Sequence, residues 1–307
     1  MSRKRHNIGG QAVIEGVMMR NDSQVAIAVR GEEGFITVQE KTFHSLAKSC
    51  RILKWPLFRG VVIFIEALVL GFQSLSFSAT EALGEEEEEL KGWELPLTLV
   101  ISLAAGVGLF ILLPTVLIGF LKRWLETPFL LYVGEGLLRL AIFLGYIFAV
   151  SRWHEIERVF QYHGAEHKAI ACYEAGGPLT VEHARGFSTL HRRCGTNFLL
   201  VVMVVSILLF SFFGWPSPWQ RILTRLLLLP VVAGVSYEVI RLAGAKDNLL
   251  TKIISQPGLW LQLLTTKTPT DDQLEVALCA LQAVLPAVKT EAGIDAVAGE
   301  RATAGTF

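Results

Sequence analysis

Four runs of this chain, residues 95–121, 129–150, 197–213 and 222–243, are predominantly apolar. Each is near the ~20 residues a helix needs to cross the hydrocarbon of a bilayer, where only helices and closed barrels satisfy their own backbone. With 52% hydrophobic and 18% charged residues, the chain reads as a multi-pass membrane protein rather than a soluble domain of 307 residues. Short links at 122–128 and 214–220 join the runs into two hairpins, over 95–150 and 197–243. A further run, 60–78, is long enough to cross but holds Glu66 and Gln73. Over 59–94 we therefore expect an amphipathic or partly inserted helix followed by an acidic loop, Glu85 to Glu89. The expected fold is an α-helical integral membrane protein. It has about four transmembrane helices (a fifth if 60–78 crosses), a small N-terminal β-hairpin region and cytosolic helices.

Charge chooses the orientation. The loop 151–196 carries Arg152, Arg158, Lys168, Arg185, Arg192 and Arg193, whereas the connectors at 122–128 and 214–221 carry far fewer basic residues. With four crossings, that loop and both ends of the sequence lie in the cytosol. If 60–78 crossed as well, the loop would lie outside, against the bias. The basic start, Met1 to Asn7, is followed by polar and glycine-rich sequence with no apolar core, so no secretory signal peptide is expected. Cys50, Cys172, Cys194 and Cys279 show no paired spacing, which fits a reducing compartment. Basic and acidic residues balance at 28 each and no nucleic-acid module appears. The partners expected are therefore membrane lipids and a membrane-associated peptide or lipid substrate, not nucleic acid.

Around the spans, residues 1–58 read as a cytosolic β-rich region. Val25 to Val29 and Phe35 to Val38 form a hairpin across Arg30-Gly31-Glu32-Glu33-Gly34. Gly9, Gly10 and Gly16 flank Glu15 and would let backbone approach closely. The plainer reading is a small sheet packed on the membrane part; the sharper one makes Glu15 a ligand or active-site carboxylate. Lys48, Arg51 and Lys54 beside Trp55 and Phe58 suit the cytosolic membrane surface. Within the second span Glu135 and Arg139 stand one turn apart, and a lone charge at mid-bilayer costs ~2.5–3.5 kcal/mol. That predicts an ion pair facing the bundle, with a transport role as the alternative. Residues 244–288 predict cytosolic helices, the last opened by a capping box at Thr270-Asp271-Asp272-Gln273. The tail, 289–307, is rich in Ala, Gly and Thr and reads as disordered.

The chemistry concentrates in the loop 151–196. Five of the seven histidines fall between His154 and His191. A helix over 155–175, stopped by Gly176-Gly177-Pro178, puts His163 and His167 on one face with Glu166 beside them. That is the H-x-x-E-H order, in which two imidazoles hold a metal and the glutamate polarises a water. Thr180 caps a second short helix leading to His191-x-x-Cys194. A divalent transition metal, zinc first, suits this mixture of nitrogen and sulfur. Glu238, near the cytosolic end of the fourth span, is the first candidate for a third ligand, and His191 and Cys194 compete with it. All of His163, His167, His191 and Cys194 together would make a closed structural site, and three ligands plus water a catalytic one. His154 and His183 have weaker claims. Gly164 costs ~1 kcal/mol in a helix relative to Ala, so something should pack closely there. Lys168, Arg192 and Arg193 either fix topology or bind lipid headgroups or a phosphorylated substrate.

Gly9 to Arg20, His163 to Lys168, His191 to Phe198, Ser236-Tyr237-Glu238 and Thr265 to Ala277 together resemble the YqhQ-like family of bacterial multi-pass membrane proteins, often labelled predicted metal-dependent enzymes. Arg192 stands where proline is usual in that family and Thr268 where glutamate is usual; neither is a proposed ligand. The resemblance implies residence in the bacterial inner membrane and one integrated membrane fold. The leading expectation is a cytosol-facing metal-dependent membrane enzyme, a hydrolase of peptide or lipid at the interface, with Glu166 as its base. The alternative is a non-enzymatic membrane scaffold or small transporter with a structural metal site. A third reading is a metal or redox sensor using Cys194.

Overall fold

The computed structural model describes residues 8–46, 52–83, 94–121, 127–213, 217–245 and 249–286. Lys48, Arg51, Cys50, the acidic run 85–89, residues 122–126 and 214–216 of the two links, and the tail 289–307 lie outside the described residues.

The chain begins as a meander. Strands β1 (Ile8–Val13), β2 (Gly16–Asn21), β3 (Gln24–Arg30) and β4 (Ile36–Thr42) form one antiparallel sheet in that order. The expected hairpin is present as β3–β4, closed where the Gly31 N–H donates to the Phe35 carbonyl, but it is half of a larger sheet. The missed turn is Ile14-Glu15, where Glu15 itself takes a φ of 48°. Neither central residue of that turn is a glycine, and the run from Gln11 to Met19 lacks the polar–apolar alternation of a half-exposed strand. The reason is that β2 and β3 are covered on both faces. Val17, Met19, Ala26 and Ala28 face helices α5 (His154–Ala175) and α10 (Asp271–Val284). Val13, Met18, Val25, Ile27 and Val29 face the second half of α1 (Pro56–Leu83), through Leu70, Phe77 and Ala82.

Helix α1 is thus one layer of a helix–sheet–helix sandwich. Ser78 Oγ accepts from the Ile14 N–H at 3.2 Å, and a Cβ on Gly71 would lie 2.9 Å from Gln11 Oε1. Glu66 accepts from Ser45 Oγ and the Leu46 N–H at 3.0 and 2.7 Å. The first turns meet α8 (Pro218–Ala245), where a Cβ on Gly60 would come within 2.8 Å of Gly234 Cα. The opposite face, Ile65, Leu68, Val69, Phe72 and Leu75, is exposed.

Four helical segments are long and apolar enough to cross a membrane: Phe58–Ala82, Val100–Phe120, Phe129–Val150 and Trp219–Leu242. The run 60–78 therefore meets the length requirement in full. The third expected span is shorter: α7 (Thr196–Ser211) has 16 residues. Helix α2 (Glu94–Val107) passes through a π-helical turn at Gly108–Leu112 into α3 (Leu113–Leu121). Helix α4 (Pro128–Val150) begins with Pro128 in its first turn and Thr127 as its cap. The short α6 (Val181–Arg185) is capped by Thr180. After α9 (Leu249–Thr265), the capping box of Thr270 and Gln273 opens α10, which ends at Val284, short of the expected 288.

The Glu135–Arg139 contact is present at 3.1 Å, but it is one arm of a larger cluster. Glu135, 2% exposed, also accepts from Thr115 at 2.8 Å and from Arg225 at 2.6 Å, and Arg221 Nη1 stands 3.9 Å from its second oxygen. Arg139 donates to the Phe110 carbonyl, inside the π-turn, at 3.0 Å.

Candidate metal centre

Helix α5 carries His163 and His167 one turn apart, as its spacing dictates, and backbone from two other segments fixes both rings. His163 Nδ1 lies 2.8 Å from the Thr265 carbonyl, at the end of α9. His167 Nδ1 is hydrogen-bonded to the Thr189 carbonyl. A carbonyl only accepts, so each Nδ1 carries the proton and each Nε2 presents a lone pair. The two Nε2 atoms and the Cys194 sulfur lie within 4.8 Å of one another, with His167 and Cys194 buried and His163 half-buried. His163 Nε2 is 3.1 Å from that sulfur, while His167 Nε2 is buried without a hydrogen-bond partner. Imidazoles held through Nδ1 by carbonyls, with Nε2 free, are what ligating histidines adopt.

The close packing expected at Gly164 is supplied by the chain that follows α9. A Cβ there would lie 2.1 Å from the Lys267 carbonyl oxygen, so the glycine lets that segment lie close to α5, with the Thr265 carbonyl at His163. Lys168 works on the other side: its Nζ donates to the Arg185 and Phe187 carbonyls at 2.7 and 2.6 Å, holding the loop that presents Thr189. This buried lysine is thereby engaged with backbone. Gln262 pins the loop bearing Cys194, accepting from the His191 N–H at 2.8 Å and donating to its carbonyl at 2.9 Å. Gln262 also donates to Asn197 at 3.1 Å, and Asn197 sits over Gly258, where a Cβ would clash at 1.9 Å.

Burial controls the protonation of the group. It pushes the His167 pKa down to about 3, with His163 adding to the effect, so the ring is neutral in its ligating form. Burial raises the Cys194 thiol, opposed by hydrogen bonds from Thr196. Glu166 is raised to about 8, chiefly by burial, with His163 lowering it and Cys194 raising it further. Its carboxyl meets the Gly10 N–H, and a Cβ on Gly10 would lie 2.8 Å from Glu166 Cγ. The glycine-flanked approach read from residues 9–16 is therefore real at Gly10, and it serves Glu166 rather than Glu15.

Other predicted ligands are placed elsewhere. Glu238 is not brought to the group, because Arg59 of α1 takes both its oxygens at 2.6 Å and Arg241 approaches at 3.4 Å. His191 is a neighbour, its ring 5.6 Å from that of His167, but its Nε2 lies 3.7 Å from Glu174. Arg193 pairs with the same Glu174. Glu15 is bound by Arg158 and by the Tyr162 hydroxyl, so it serves the junction of sheet and α5. His183 packs against Phe187 and His154 begins α5, neither of them within the group. Sequence reasoning missed Thr189, Thr265, Gln262 and Asn197. The first two act through backbone carbonyls, which residue type does not announce.

The profile of a family described as "Protein of unknown function (DUF1385)" matches residues 55–287. The protein named "Uncharacterized protein YqhQ" of Bacillus subtilis (strain 168) is 37% identical over 284 residues, covering 88% of this chain and 89% of that one. No solved structure matches.

Proposed function

The chain belongs to the DUF1385 family, whose description names no activity, and we propose from the site itself that it is a membrane-embedded, zinc-dependent hydrolase facing the cytosol. The observation that carries this reading is the convergence of His163 Nε2, His167 Nε2 and Cys194 Sγ, with both Nδ1 atoms spent on carbonyls and one Nε2 buried without a partner. A buried lone pair of that kind is costly unless something accepts it. Three protein ligands would leave a fourth position for substrate or water, and the zinc would supply Lewis acidity there. The chain's own contribution is Glu166, a carboxyl shut against Gly10 that can donate or accept a proton near neutral pH. A closed structural site is the second reading, favoured by the nearness of His191 to His167.

The topology supports an interfacial site. The part of α1 from Glu66 onward packs on the sheet and the chain beside it, leaving ten residues, about 15 Å, which is half a bilayer. An open sheet cannot sit in hydrocarbon. Helix α1 therefore stays on the sheet side, its exposed apolar face in one leaflet. The crossings are α2–α3, α4, α7 and α8. This leaves the sheet, α5 and α10 on one side, the cytosolic one by the charge of 151–196. Cys194 lies two residues before α7 enters the bundle, so the centre sits just below the membrane, within reach of a lipid or a membrane-bound peptide.

The test is elemental analysis of the purified protein together with Glu166→Gln. One zinc per chain, kept by Glu166→Gln while hydrolysis of phospholipid or peptide substrates is lost, is the expected result. Wild-type protein without metal would end the reading. Joint loss of metal and fold in Glu166→Gln would make the site structural.

A further inference from the structure

At the end of the bundle remote from the sheet, α8 presents Arg221 and Arg225 one turn apart, beside Glu135 and Arg139 of α4. The two α8 arginines and Thr224 line a small cleft whose other walls are Tyr132, Phe210 and Phe213. Three guanidinium groups there face one carboxylate in otherwise apolar surroundings. Arg225 lies over the Phe210 ring at 5.8 Å and is anchored by Glu135 Oε1 and Thr115. Ionisable side chains inside a membrane bundle mark functional sites by default, because placing them there is costly.

We infer that this cleft binds the phosphate group of an anionic amphiphile. The depth fits: Trp219, 80% exposed, marks the interfacial end of α8. Arg221 and Arg225 then lie roughly 3 and 9 Å further along the axis, at the level of headgroup and glycerol. The chemistry fits as well. Guanidinium forks match phosphate oxygens, the Thr224 and Tyr132 hydroxyls stand beside them, and the two phenylalanines offer an apolar wall for what the phosphate carries. Pro114, four residues after Phe110, has no N–H for the Phe110 carbonyl, which accepts from Arg139 instead and so commits that arginine to the scaffold, whereas Arg221 and Thr224 line the cleft. This site does not depend on the metal reading and lies at the opposite end of the bundle.

The experiment is native mass spectrometry of the full-length protein in nonionic detergent, titrated separately with phosphatidylglycerol, phosphatidylcholine and inorganic phosphate. Retention of phosphatidylglycerol at about one per chain, weakened about tenfold in Arg221→Gln and partly restored in Arg221→Lys, is expected. Phosphatidylcholine should bind more weakly than phosphatidylglycerol. Saturable inorganic phosphate with the same Arg221 dependence would support the site and assign a free anion as its occupant. Should Arg221→Gln not fold, as judged by gel filtration and circular dichroism, Thr224→Val and Arg221→Lys carry the comparison. The inference is overturned by no retention of either anion, by equal retention in wild type and folded variants, or by phosphatidylcholine binding as tightly as phosphatidylglycerol.

Discussion

The His163–His167–Cys194 centre and the Glu135 cluster are both polar groups shut among apolar ones, yet they are satisfied by opposite means. At the first, neutral rings are clamped by the carbonyls of Thr265 and Thr189 until lone pairs face one another. At the second, three fixed positive charges converge on Glu135. Gathered donors of electron pairs call for a cation, and gathered guanidinium groups call for an anion. The first region is oriented by backbone carbonyls, and the Lys168, Gln262 and Asn197 side chains hold the loops that bring them and Cys194 into place. The second is built from side chains on adjacent helices, so a single substitution removes an arm outright.

The largest expected effect that would sharpen this contrast is on metal. Cys194→Ser or His163→Ala should lower zinc from about one per chain to under a tenth by elemental analysis, since bound zinc contributes ~10–16 kcal/mol in structural sites. Anionic-lipid retention should be unchanged. Next comes Glu135→Leu, which strips Arg139 and Arg225 of their shared acceptor. Breaking a buried pair costs ~3–5 kcal/mol, read as a lower melting temperature in detergent, with zinc stoichiometry intact in the folded fraction. If Glu135→Leu also released zinc, the two regions would not be independent. Gly164→Ala should follow at ~1–3 kcal/mol through overpacking, with weaker zinc binding because the Lys267 segment is forced off α5 and takes the Thr265 carbonyl with it. The smallest effect is expected of Glu238→Gln: zinc affinity within about twofold and stability lowered by ~1 kcal/mol or less, as for a partly exposed ion pair. A large loss of zinc in that variant would restore Glu238 as a ligand.

Much of the centre could be read from local spacing. An i, i+4 histidine pair is placed by helix geometry alone, and Gly164 betrayed a close neighbour by its cost. Cys194 was recognisable by chemistry, though its convergence on the histidines needed Gln262 and Asn197 to fix the loop. Glu238 misled because Arg59, 179 residues away in sequence, captures it. The same limit applied to the charged cluster: the Glu135–Arg139 arm is local and was visible, whereas Arg221 and Arg225 come from a helix about 90 residues on. In the sheet, the Ile14-Glu15 turn was hidden because strands covered on both faces lose the alternation that marks where they end.

The clamp from Thr265 to His163 spans 102 residues, and Gly10 reaches Glu166 from near the start of the chain. The centre thus joins segments that lie far apart along the chain. During synthesis, His163 lacks its orienting carbonyl until α9 has emerged. On the zinc reading proposed above, ion loading becomes a late step, and a nascent chain stalled before α9 should remain empty whatever the supply of metal.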